Sequence, residues 1–408
     1  MTTTRTTAPD AQGADDAQDA ESAQSAPAAP GARTAALLRP YELGSLRLPN
    51  RVVMAPITRA RATNPHLAPT ALHAAYYAQR ATAGLIVTEG TWTSPRAVGF
   101  PHVPGIHTDR QVTAWRRVTD LVHALGGRIV LQLWHAGANS HPDHHHGAPP
   151  AGPSPVNPGE RVFTGGGFQR TVTPREMTAA DIAATVAEYG AAARNARRAG
   201  FDGVEVAANG SMLLPQFLNP RLNHRTDAYG TRRERLLLEV VDAVAEPWDG
   251  QCVGIRLSPY WTADDVFTAD ARTRATYPYT ADDETLAAYD ELVTELNNHP
   301  LSYLHLRGPA PTAPGAAPDP AAFARYRRLF RGPLIANHGF DPATAGALTE
   351  TGTADAVSFA RHYIANPDLV TRLALGRELA PGDPNTYYTG GAGGYVDYPT
   401  ADLAERHP

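Results

Sequence analysis

Three polar residues lie at the carboxyl ends of short apolar runs that are predicted to be buried strands. Gln132 lies in RIVLQL, Arg256 lies in CVGIRL, and Arg361 follows DAVSFA. A buried arginine needs an anionic or acceptor-rich partner, because an isolated charge is costly to remove from water. Glutamine pairs a donor with an acceptor, which suits the edge of a pyrimidine-like ring, and arginine beside small residues suits a phosphate. The three side chains together predict a site for a planar, phosphorylated ligand.

The elements that would position these residues alternate between strand and helix. Eight short runs rich in β-branched residues predict buried parallel strands. They are Arg51–Ala55, Leu85–Glu89, Arg128–Leu133, Asp202–Val206, Cys252–Leu257, Ser302–Leu306, Pro333–Asn337 and Asp355–Ala360. Helical patterns follow them at Ala68–Ala81, Arg110–Leu125, Ala179–Ala199, Thr231–Ala245, Asp282–Asn297, Pro320–Phe330, Pro342–Glu350 and Pro367–Leu375.

This order predicts an α/β protein, a TIM (β/α)8 barrel with its chemistry at the carboxyl ends of the strands. A doubly wound sheet is the alternative, but it calls for a glycine-rich turn after the first strand, where this chain reads APITRAR. Two long loops, His141–Thr173 and Pro259–Ala281, follow strands and are expected to extend over the mouth of the barrel. A third long segment is Tyr387–Pro399.

A phosphate, an amide edge and a delocalised anion are the groups that a reduced flavin mononucleotide presents. The loops after the seventh and eighth strands, Asn337–Gly339 and Ala360–Arg361, are the usual phosphate-binding pair in a TIM barrel. Many TIM barrels bind other phosphates, so the spacing leaves other ligands open. Purely structural roles for Arg256 and Gln132 also stay open at this point.

Composition excludes several classes of function. The chain has 408 residues and a net charge of −5, which gives no electrostatic reason to expect nucleic acid or an anionic membrane as a partner. Its 36 basic residues are all arginine, so Schiff-base chemistry and a Walker A lysine are excluded. One cysteine, Cys252, excludes an internal disulfide, and no metal site is predicted. The consecutive His144, His145 and His146 are interpreted as part of an exposed loop.

The domain prediction is a disordered tail over residues 1–33 followed by one FMN-binding barrel domain over residues 34–408. The first 33 residues are rich in Ala, Thr, Asp, Ser and Pro and cannot bury enough surface to offset the entropy of ordering. They lack the apolar core of a secretory signal, and no apolar run is long enough to span a bilayer. A cytoplasmic location is therefore expected.

From about Leu38 to Pro399 the chain resembles the Old Yellow Enzyme family, the FMN-dependent ene-reductases. The matching motifs include LPNRVVMAPITRAR, YYAQRATAGLIVTEGT, ARRAGFDGVE, NHRTDAYG, GIRLSP, RHYIANPDLV and GGAGGYVDYP. The longest match is PGIHTDRQVTAWRRVTDLVHALGGRIVLQLWHAG, and the motifs follow one another in the family's order and spacing. The resemblance implies an FMN-dependent oxidoreductase that exchanges hydride between flavin N5 and a small organic molecule, with NAD(P)H as a possible reductant.

The resemblance also implies which residues contact FMN. These are Pro56, Ile57 and Thr58 at the isoalloxazine, Gly90 beside the ring, Gln132 at the pyrimidine edge, Arg256 at N1 and O2 of the anionic reduced flavin, and Asn337, His338, Gly339, Ala360 and Arg361 at the phosphate. His338 and Ala360 stand where the family usually has glycine. Backbone N–H donors survive both changes, so FMN binding is still expected.

Three positions in the loop after the fourth strand depart from the family pattern. The family carries a His there, a His or Asn three residues on, and a Tyr two residues further. The first two hold the substrate's carbonyl or nitro oxygen and the nicotinamide, and the Tyr donates a proton. Here the three positions are Ala207, Gly210 and Met212, which can neither polarise a carbonyl nor give a proton. The resemblance therefore implies a remodelled substrate anchor and proton donor.

Several other residues could take over these tasks, each with a structural role as the alternative. The candidates for catalysis are Asn209, Tyr260, Tyr388 and Asp264. The candidates for substrate binding are Phe100, Trp134, Asn209, Met212, Tyr260, Asp264 and Tyr388. Asn209 precedes the lost anchor position by one residue, so a shifted loop could turn its amide towards the flavin.

The lost residues leave more than one function open. The leading prediction is hydride exchange in specialised metabolism, on a C=C or C–C bond of a small molecule. A flavin-dependent dehydrogenase or oxidase and a redox-neutral isomerase are alternatives, and a catalytically inactive flavin-binding scaffold is an alternative from a different class. The expected partner is a small-molecule substrate, with no nucleic acid and no membrane, in a monomer or homodimer.

Overall fold

A parallel barrel forms the body of the protein in the computed structural model, which describes residues 32–248, 251–266, 269–311 and 316–401. Within these residues eight strands pair side by side in sequence order, and the last pairs with the first, so the ring is closed. Every neighbouring pair in the ring is parallel. The predicted TIM barrel is confirmed. Residues 1–31 lie outside the described residues, so the predicted tail stays a prediction.

The barrel strands are named β1 to β8 in chain order. They are β1 Val52–Met54, β2 Leu85–Val87, β3 Ile129–Trp134, β4 Gly203–Ala208, β5 Val253–Leu257, β6 Leu301–Arg307, β7 Leu334–Asn337 and β8 Ala356–Phe359. All are buried on both faces, apart from the carboxyl-terminal residues of β3 and β6. Strands covered on both sides read as continuous apolar runs, which is why the sequence pattern located them.

The outer helices are named α1 to α8. They are α1 Ala71–Ala78, α2 Asp109–Ala124, α3 Ala179–Arg198, α4 Arg235–Ala245, α5 Asp283–Glu295, α6 Pro320–Leu329, α7 Pro342–Glu350 and α8 Leu369–Leu375. Several begin at a side chain that accepts a hydrogen bond from the first turn, as Thr108 does for α2 and Asp282 for α5. In α6 and α7 a proline follows the capping aspartate, where its missing N–H costs nothing.

Additional segments close the two ends of the barrel. An antiparallel hairpin, Tyr41–Leu43 with Leu46–Leu48, packs its leucines against the interior residues at the amino-terminal end. At the other end a second hairpin, Arg161–Thr164 with Gly167–Arg170, projects from the loop after β3. Short helices lie at Leu213–Leu218, Ala228–Thr231, Ala271–Thr276 and Arg361–Ala365. No helix in the described ranges combines the length and apolarity that crossing a membrane requires.

Candidate functional site

A cavity of about 510 Å³ opens at the carboxyl ends of the barrel strands. Its walls come from the segments after β1 to β5, from the hairpin 161–170, and from residues 388–389 near the carboxyl terminus. Of the residues predicted to bind cofactor or substrate, those lining it are Pro56, Thr58, Gly90, Phe100, Gln132, Trp134, Asn209, Met212, Arg256 and Tyr388. The topology therefore gathers most of the predicted residues in one place.

Arg256 brings a buried positive charge to this cavity. Its side chain is 7% exposed, and Nη2 donates a hydrogen bond of 2.7 Å to Oδ1 of Asn337. Nε and Nη1 are buried and find no partner among the described residues. Burial lowers the pKa of Arg256 to about 10, which still leaves it charged at neutral pH. A charged group with two unused donors needs an acceptor-rich ligand.

Gln132 is held in one orientation by a residue of the barrel interior. Its Nε2 donates to Oε1 of Glu205 over 2.8 Å. Because an ionised carboxylate only accepts hydrogen bonds, the amide nitrogen must face Glu205, and Oε1 faces the cavity without a partner in the described chain. Gln132 thus presents an acceptor oxygen to the cavity, and its hydrogen bond to Glu205 in the barrel interior fixes the position of that oxygen.

Glu205 is a completely buried carboxylate with three donors around it. Besides Gln132, the Tyr303 hydroxyl at 3.1 Å and Nδ1 of His305 at 2.8 Å donate to Oε2. Burial opposes ionisation, but the hydrogen bonds from His305 and Gln132 and the charge of Arg256 outweigh it and hold the pKa of Glu205 below its ordinary value. Burial lowers the pKa of His305, so the pair is an ionised glutamate and a neutral histidine that donates from Nδ1. Sequence reasoning missed Glu205 because a single acid inside an apolar run carries no sign of its partners.

The loops after β7 and β8 are arranged around small residues and one unusual histidine. His338 has φ 97°, and its Nδ1 lies 3.2 Å and 3.0 Å from the carbonyl oxygens of Gly308 and Pro309. Nδ1 must therefore carry the proton, and Nε2 accepts from Arg307 over 3.1 Å. These hydrogen bonds fix the His338 ring beside Gly339, which has φ 79°. Arg361, after Ala360, is exposed and makes no side-chain hydrogen bond within the described chain.

The segment after β1 lies beside a tightly packed indole. Pro56 and Thr58 line the cavity, whereas Ile57 packs against the apolar core. Gly90 must be glycine, since a Cβ there would lie 1.9 Å from Cε3 of Trp134. Trp134 in turn stacks on Trp92 with ring centroids 4.7 Å apart.

The loop after β4 presents backbone, an amide and a thioether to the cavity. Ala207, Gly210 and Met212 line it, and the Trp134 indole N–H donates to the Met212 sulfur. Asn209 also lines the cavity, and its Oδ1 is buried with no partner in the described part of the chain. Asn209, a half-buried residue, therefore brings an amide with an unpartnered oxygen to the lining of the cavity.

An aromatic wall also lines this cavity; it consists of Phe100, Phe163, Phe168 and Tyr388. Phe100 stacks on Phe163 at 5.6 Å and lies 5.9 Å from Tyr388, and Phe163 meets Phe168 edge-on at 5.1 Å. Phe163 and Phe168 come from the hairpin 161–170, and sequence reasoning did not single them out. Tyr388 is 45% exposed, so it stands at the rim of the cavity.

Two predicted candidates face away from the cavity. The Tyr260 hydroxyl donates to the carbonyl of Ala322 over 3.4 Å, and its ring packs against Tyr326. Asp264 is 71% exposed and pairs with Arg274 on the outside of the loop. Neither contributes to the lining, because the loop after β5 turns these side chains outward and its neighbouring residues Trp261 and Asp265 inward.

Asp265 pins this loop, residues 259–281, onto the barrel. Its Oδ1 accepts from Nη2 of Arg307, at the end of β6, over 2.6 Å. The two side chains are 3% and 13% exposed. The Arg307 guanidinium also lies over the Trp261 ring, 4.7 Å from its centroid. The loop therefore closes over the cavity through a shielded ion pair.

Asp265→Asn should release this loop. Removing one partner of a shielded ion pair leaves an uncompensated charge, which costs about 3 kcal/mol. We expect a lower thermal midpoint and faster proteolytic cleavage within residues 259–281. Asp264→Asn is the matched control, because its exposed pair should contribute less than about 1 kcal/mol. Equal effects of the two substitutions would show that Asp265 does not hold the loop.

A buried glutamate that sequence reasoning missed also lines the cavity. Glu160 is 4% exposed and accepts from the Ser211 hydroxyl at 3.0 Å and the Tyr277 hydroxyl at 3.2 Å. Burial raises the pKa of Glu160 to about 7. In the sequence, Glu160 is one acid in a loop rich in proline and glycine. The one feature that could have indicated a role in the site is that this loop was predicted to cover the mouth of the barrel.

The described residues fit a flavin mononucleotide. The unused donors of Arg256 suit the acceptor edge of the ring, Oε1 of Gln132 suits a ring N–H, and the free Arg361 suits a phosphate. Besides aromatic and other apolar residues, the lining of the cavity carries polar side chains that include Asn209, Glu160 and Asp265.

Comparison with known proteins identifies relatives that are described as flavin oxidoreductases or reductases. A family model described as "NADH:flavin oxidoreductase / NADH oxidase family" matches residues 36–380. The flavin oxidoreductase hxnT of Emericella nidulans is 37% identical over 393 residues, which span 90% of this chain and 97% of hxnT. The 12-oxophytodienoate reductase 1 of Oryza sativa subsp. japonica is 37% identical over 376 residues, covering 90% of this chain and 94% of that protein.

Solved structures show the same likeness over most of the chain. Morphinone reductase superimposes with a TM-score of 0.81 at 42% identity, covering 91% of this chain and 97% of its own. Morphinone reductase in complex with tetrahydroNAD gives 0.80 at 42% identity, with coverage of 91% and 99%. An old yellow enzyme homologue from Zymomonas mobilis gives 0.81 at 35% identity, with coverage of 89% and 99%.

Proposed function

The chain belongs to the NADH:flavin oxidoreductase / NADH oxidase family, that of Old Yellow Enzyme, and on that premise we propose that it reduces an activated C=C bond with a remodelled substrate anchor. It is an FMN-dependent oxidoreductase, and the tetrahydroNAD complex of its relative supports NAD(P)H as the reductant. The proposed substrate is a small, flat and largely apolar molecule.

The observation that carries the proposal is the buried guanidinium of Arg256, a residue that lines the cavity and has two buried donor nitrogens without a partner among the described residues. A guanidinium held at this depth stabilises negative charge that develops on a bound ring, and low polarity strengthens that effect. FMN, when bound, supplies hydride chemistry at N5. Gln132 would orient the edge of the FMN ring, and Arg361 with the loops after β7 and β8 would hold its phosphate.

The walls of the cavity indicate the substrate class. The aromatic wall formed by Phe100, Phe163, Phe168 and Tyr388 lines the cavity together with Trp134 and Met212. Aromatic and thioether surfaces bind flat apolar molecules through area burial and ring stacking. We therefore propose a ring-containing enone or a similarly polarised alkene.

Asn209 is the proposed anchor of the substrate's electron-withdrawing group. Its amide forms no hydrogen bond within the described chain, so the N–H edge is free to turn towards a substrate oxygen. One amide would replace the two donors that the family usually places at the positions of Ala207 and Gly210. Such a donor stabilises the negative charge that develops on the oxygen as the alkene accepts hydride.

Asn209→Ala should weaken enone reduction without loss of FMN. Removing one preorganised donor typically costs about a hundredfold, so we expect a drop of that order in kcat/KM for 2-cyclohexenone. The protein-bound FMN content, measured by absorbance, should stay unchanged because Asn209 lies on the substrate side. Unchanged enone kinetics would exclude Asn209 as the anchor.

The function is tested by following the flavin absorbance anaerobically after mixing with NADH or NADPH and then with 2-cyclohexenone. Bleaching by a reduced nicotinamide followed by recovery on enone supports the proposal. A yellow protein that resists both nicotinamides favours a dehydrogenase, an oxidase or a redox-neutral isomerase. A colourless protein that cannot be reconstituted with FMN would favour the scaffold alternative.

A further inference from the structure

A hydrogen-bonded group of five side chains is built into the substrate side of the cavity. Asn139 Nδ2 donates to the Ser211 hydroxyl over 2.7 Å, and Ser211 contacts Oε2 of Glu160 over 3.0 Å. On the other side of the carboxyl, Tyr277 contacts Oε1 over 3.2 Å, and the Trp261 indole nitrogen lies 2.7 Å from the Tyr277 oxygen. Asn139, Glu160, Ser211 and Trp261 all line the cavity.

The chemistry of these groups fixes the direction of the hydrogen bonds on one side. An indole N–H can only donate, so Trp261 donates to the Tyr277 oxygen. Tyr277 must then direct its own proton at Oε1 of Glu160. Oε1 is therefore an acceptor in every protonation state, and a proton on the carboxyl must sit on Oε2, which faces Ser211.

Protonation of Glu160 changes what Ser211 can do. With an ionised carboxylate, the Ser211 O–H points at Oε2. With a protonated carboxyl, Oε2 donates to Ser211, whose oxygen also accepts from Asn139, and its own O–H must turn to the remaining direction. Ser211 lines the cavity between Gly210 and Met212, so a substrate bound there lies beside its hydroxyl.

We propose that Ser211 is the proton donor to the substrate and that Glu160 recharges it, so that this pair replaces the donor missing at Met212. The inference rests on the proposed alkene reduction and deepens it. In the step, the C=C π bond breaks as one carbon receives hydride and the other receives the Ser211 proton. The Ser211 oxygen takes the proton of Oε2, and Glu160 becomes a carboxylate that solvent later reprotonates.

Other groups near the cavity are less suited to this task. Met212 and Gly210 carry no ionisable proton. Tyr260 and Asp264 face away, as described above. Tyr388 stands at the half-exposed rim, and among the described residues its hydroxyl forms no hydrogen bond with an acid that could restore a proton.

The surroundings of Glu160 keep its proton available near neutral pH. Burial raises the pKa of Glu160 to about 7, and the bonds from Ser211, Tyr277 and Asn139 offset only part of that shift. The polar groups around Glu160 are the side chains of Ser211, Tyr277 and Asn139, together with Thr171, whose hydroxyl forms hydrogen bonds with the Glu160 backbone. General acids work best when their pKa lies near the working pH.

Glu160→Gln is a clean test because glutamine can still accept from Tyr277 and donate to Ser211. It keeps the hydrogen bonds but holds no transferable proton. We expect reoxidation of the reduced enzyme by 2-cyclohexenone to slow by about a hundredfold in Glu160→Gln and Ser211→Ala. Ser211→Thr, which keeps the hydroxyl, should restore most of the rate. Bleaching by NADH and reoxidation by ferricyanide need no carbon protonation, so both should slow far less than reoxidation by 2-cyclohexenone.

The pH dependence separates a proton relay from a structural role. In the wild type, enone reoxidation should fall as pH rises through about 7, because Glu160 then loses its proton. In Glu160→Gln the rate should be low and independent of pH over the same range. Asp143→Asn, which alters an exposed carboxylate of the same loop, should behave like the wild type.

The protonation of Glu160 can also be measured directly, without enzyme turnover. The infrared difference spectrum between pH 5 and pH 9, on either side of the Glu160 pKa of about 7, should contain a protonated-carboxyl band that Glu160→Gln lacks. Glu89, whose pKa burial also raises to about 7, should leave a second band in both proteins. If Glu160→Gln and Ser211→Ala were reoxidised by enone at the wild-type rate and with the wild-type pH profile, the proton relay would be wrong, while the proposed alkene reduction would stand. A wild type that NADH bleaches but enone does not reoxidise would overturn the proposed function and the relay with it.

Discussion

Arg256→Met should give a protein that binds FMN weakly and is reduced slowly by NADH. Methionine keeps much of the side-chain volume but removes the charge and the donors Nε and Nη1 that the cavity leaves unused. A hydrogen bond to a charged group contributes about 1.5–3 kcal/mol, so FMN affinity should fall by roughly one to two orders of magnitude. The rate of bleaching should fall by about a hundredfold or more, because charge stabilisation in a buried site is lost.

Fluorescence titration of the apoprotein with FMN and stopped-flow absorbance would measure both effects. Arg256→Lys is the informative control, since it keeps the charge but replaces a planar fork by a point charge. We expect it to retain FMN with an intermediate rate. A Met variant that binds FMN and bleaches like the wild type would leave Arg256 with only its structural bond to Asn337.

Glu205→Ala should be among the most destabilising single changes in the barrel. It removes the acceptor of Gln132, Tyr303 and His305 at once, in the interior where water cannot replace it. Unpaired buried donors cost about 1–3 kcal/mol each, and breaking a buried charged network costs about 3–5 kcal/mol in all. The Gln132 amide would also lose its orientation, so FMN affinity should fall even where the protein folds.

Urea unfolding followed by fluorescence would measure the loss of stability. Glu205→Gln should lose less than Glu205→Ala, because its amide still accepts from some of the donors. Glu350→Ala, at an exposed glutamate in α7, controls for the loss of a carboxylate and should change the free energy of unfolding by less than about 0.5 kcal/mol. A Glu205→Ala protein as stable as this control would mean that the network contributes nothing net.

The barrel itself was predictable because its strands are short, apolar and repeated. All eight predicted strands are present, with ends that differ by no more than two residues; the run Arg51–Ala55 is a strand over Val52–Met54, and Asp202–Val206 is a strand over Gly203–Ala208. The 3-10 helix at Ala32–Leu38 begins two residues before the predicted domain boundary. Burial on both faces leaves continuous apolar runs, which can be detected from the local sequence.

The loops over the mouth were predictable in place but not in the direction of their side chains. The segment after β5 was expected over the cavity, yet it points Trp261 and Asp265 inward and Tyr260 and Asp264 outward. A one-residue difference in such a loop reverses a side chain, and irregular backbone has no period from which to read it. Partners from other loops, here Arg307, Arg274 and Tyr326, decide the outcome.

By itself, the sequence determined the barrel, the family and the residues at strand ends such as Arg256 and Gln132, because parallel pairing brings all strand ends to one edge. Only the tertiary structure decided which acid reaches the substrate side. Glu160 and Ser211 are 51 residues apart in the chain but 3.0 Å apart in space. Their contact depends on how a hairpin loop packs against the segment after β4, and desolvation by that packing is what raises the pKa of Glu160.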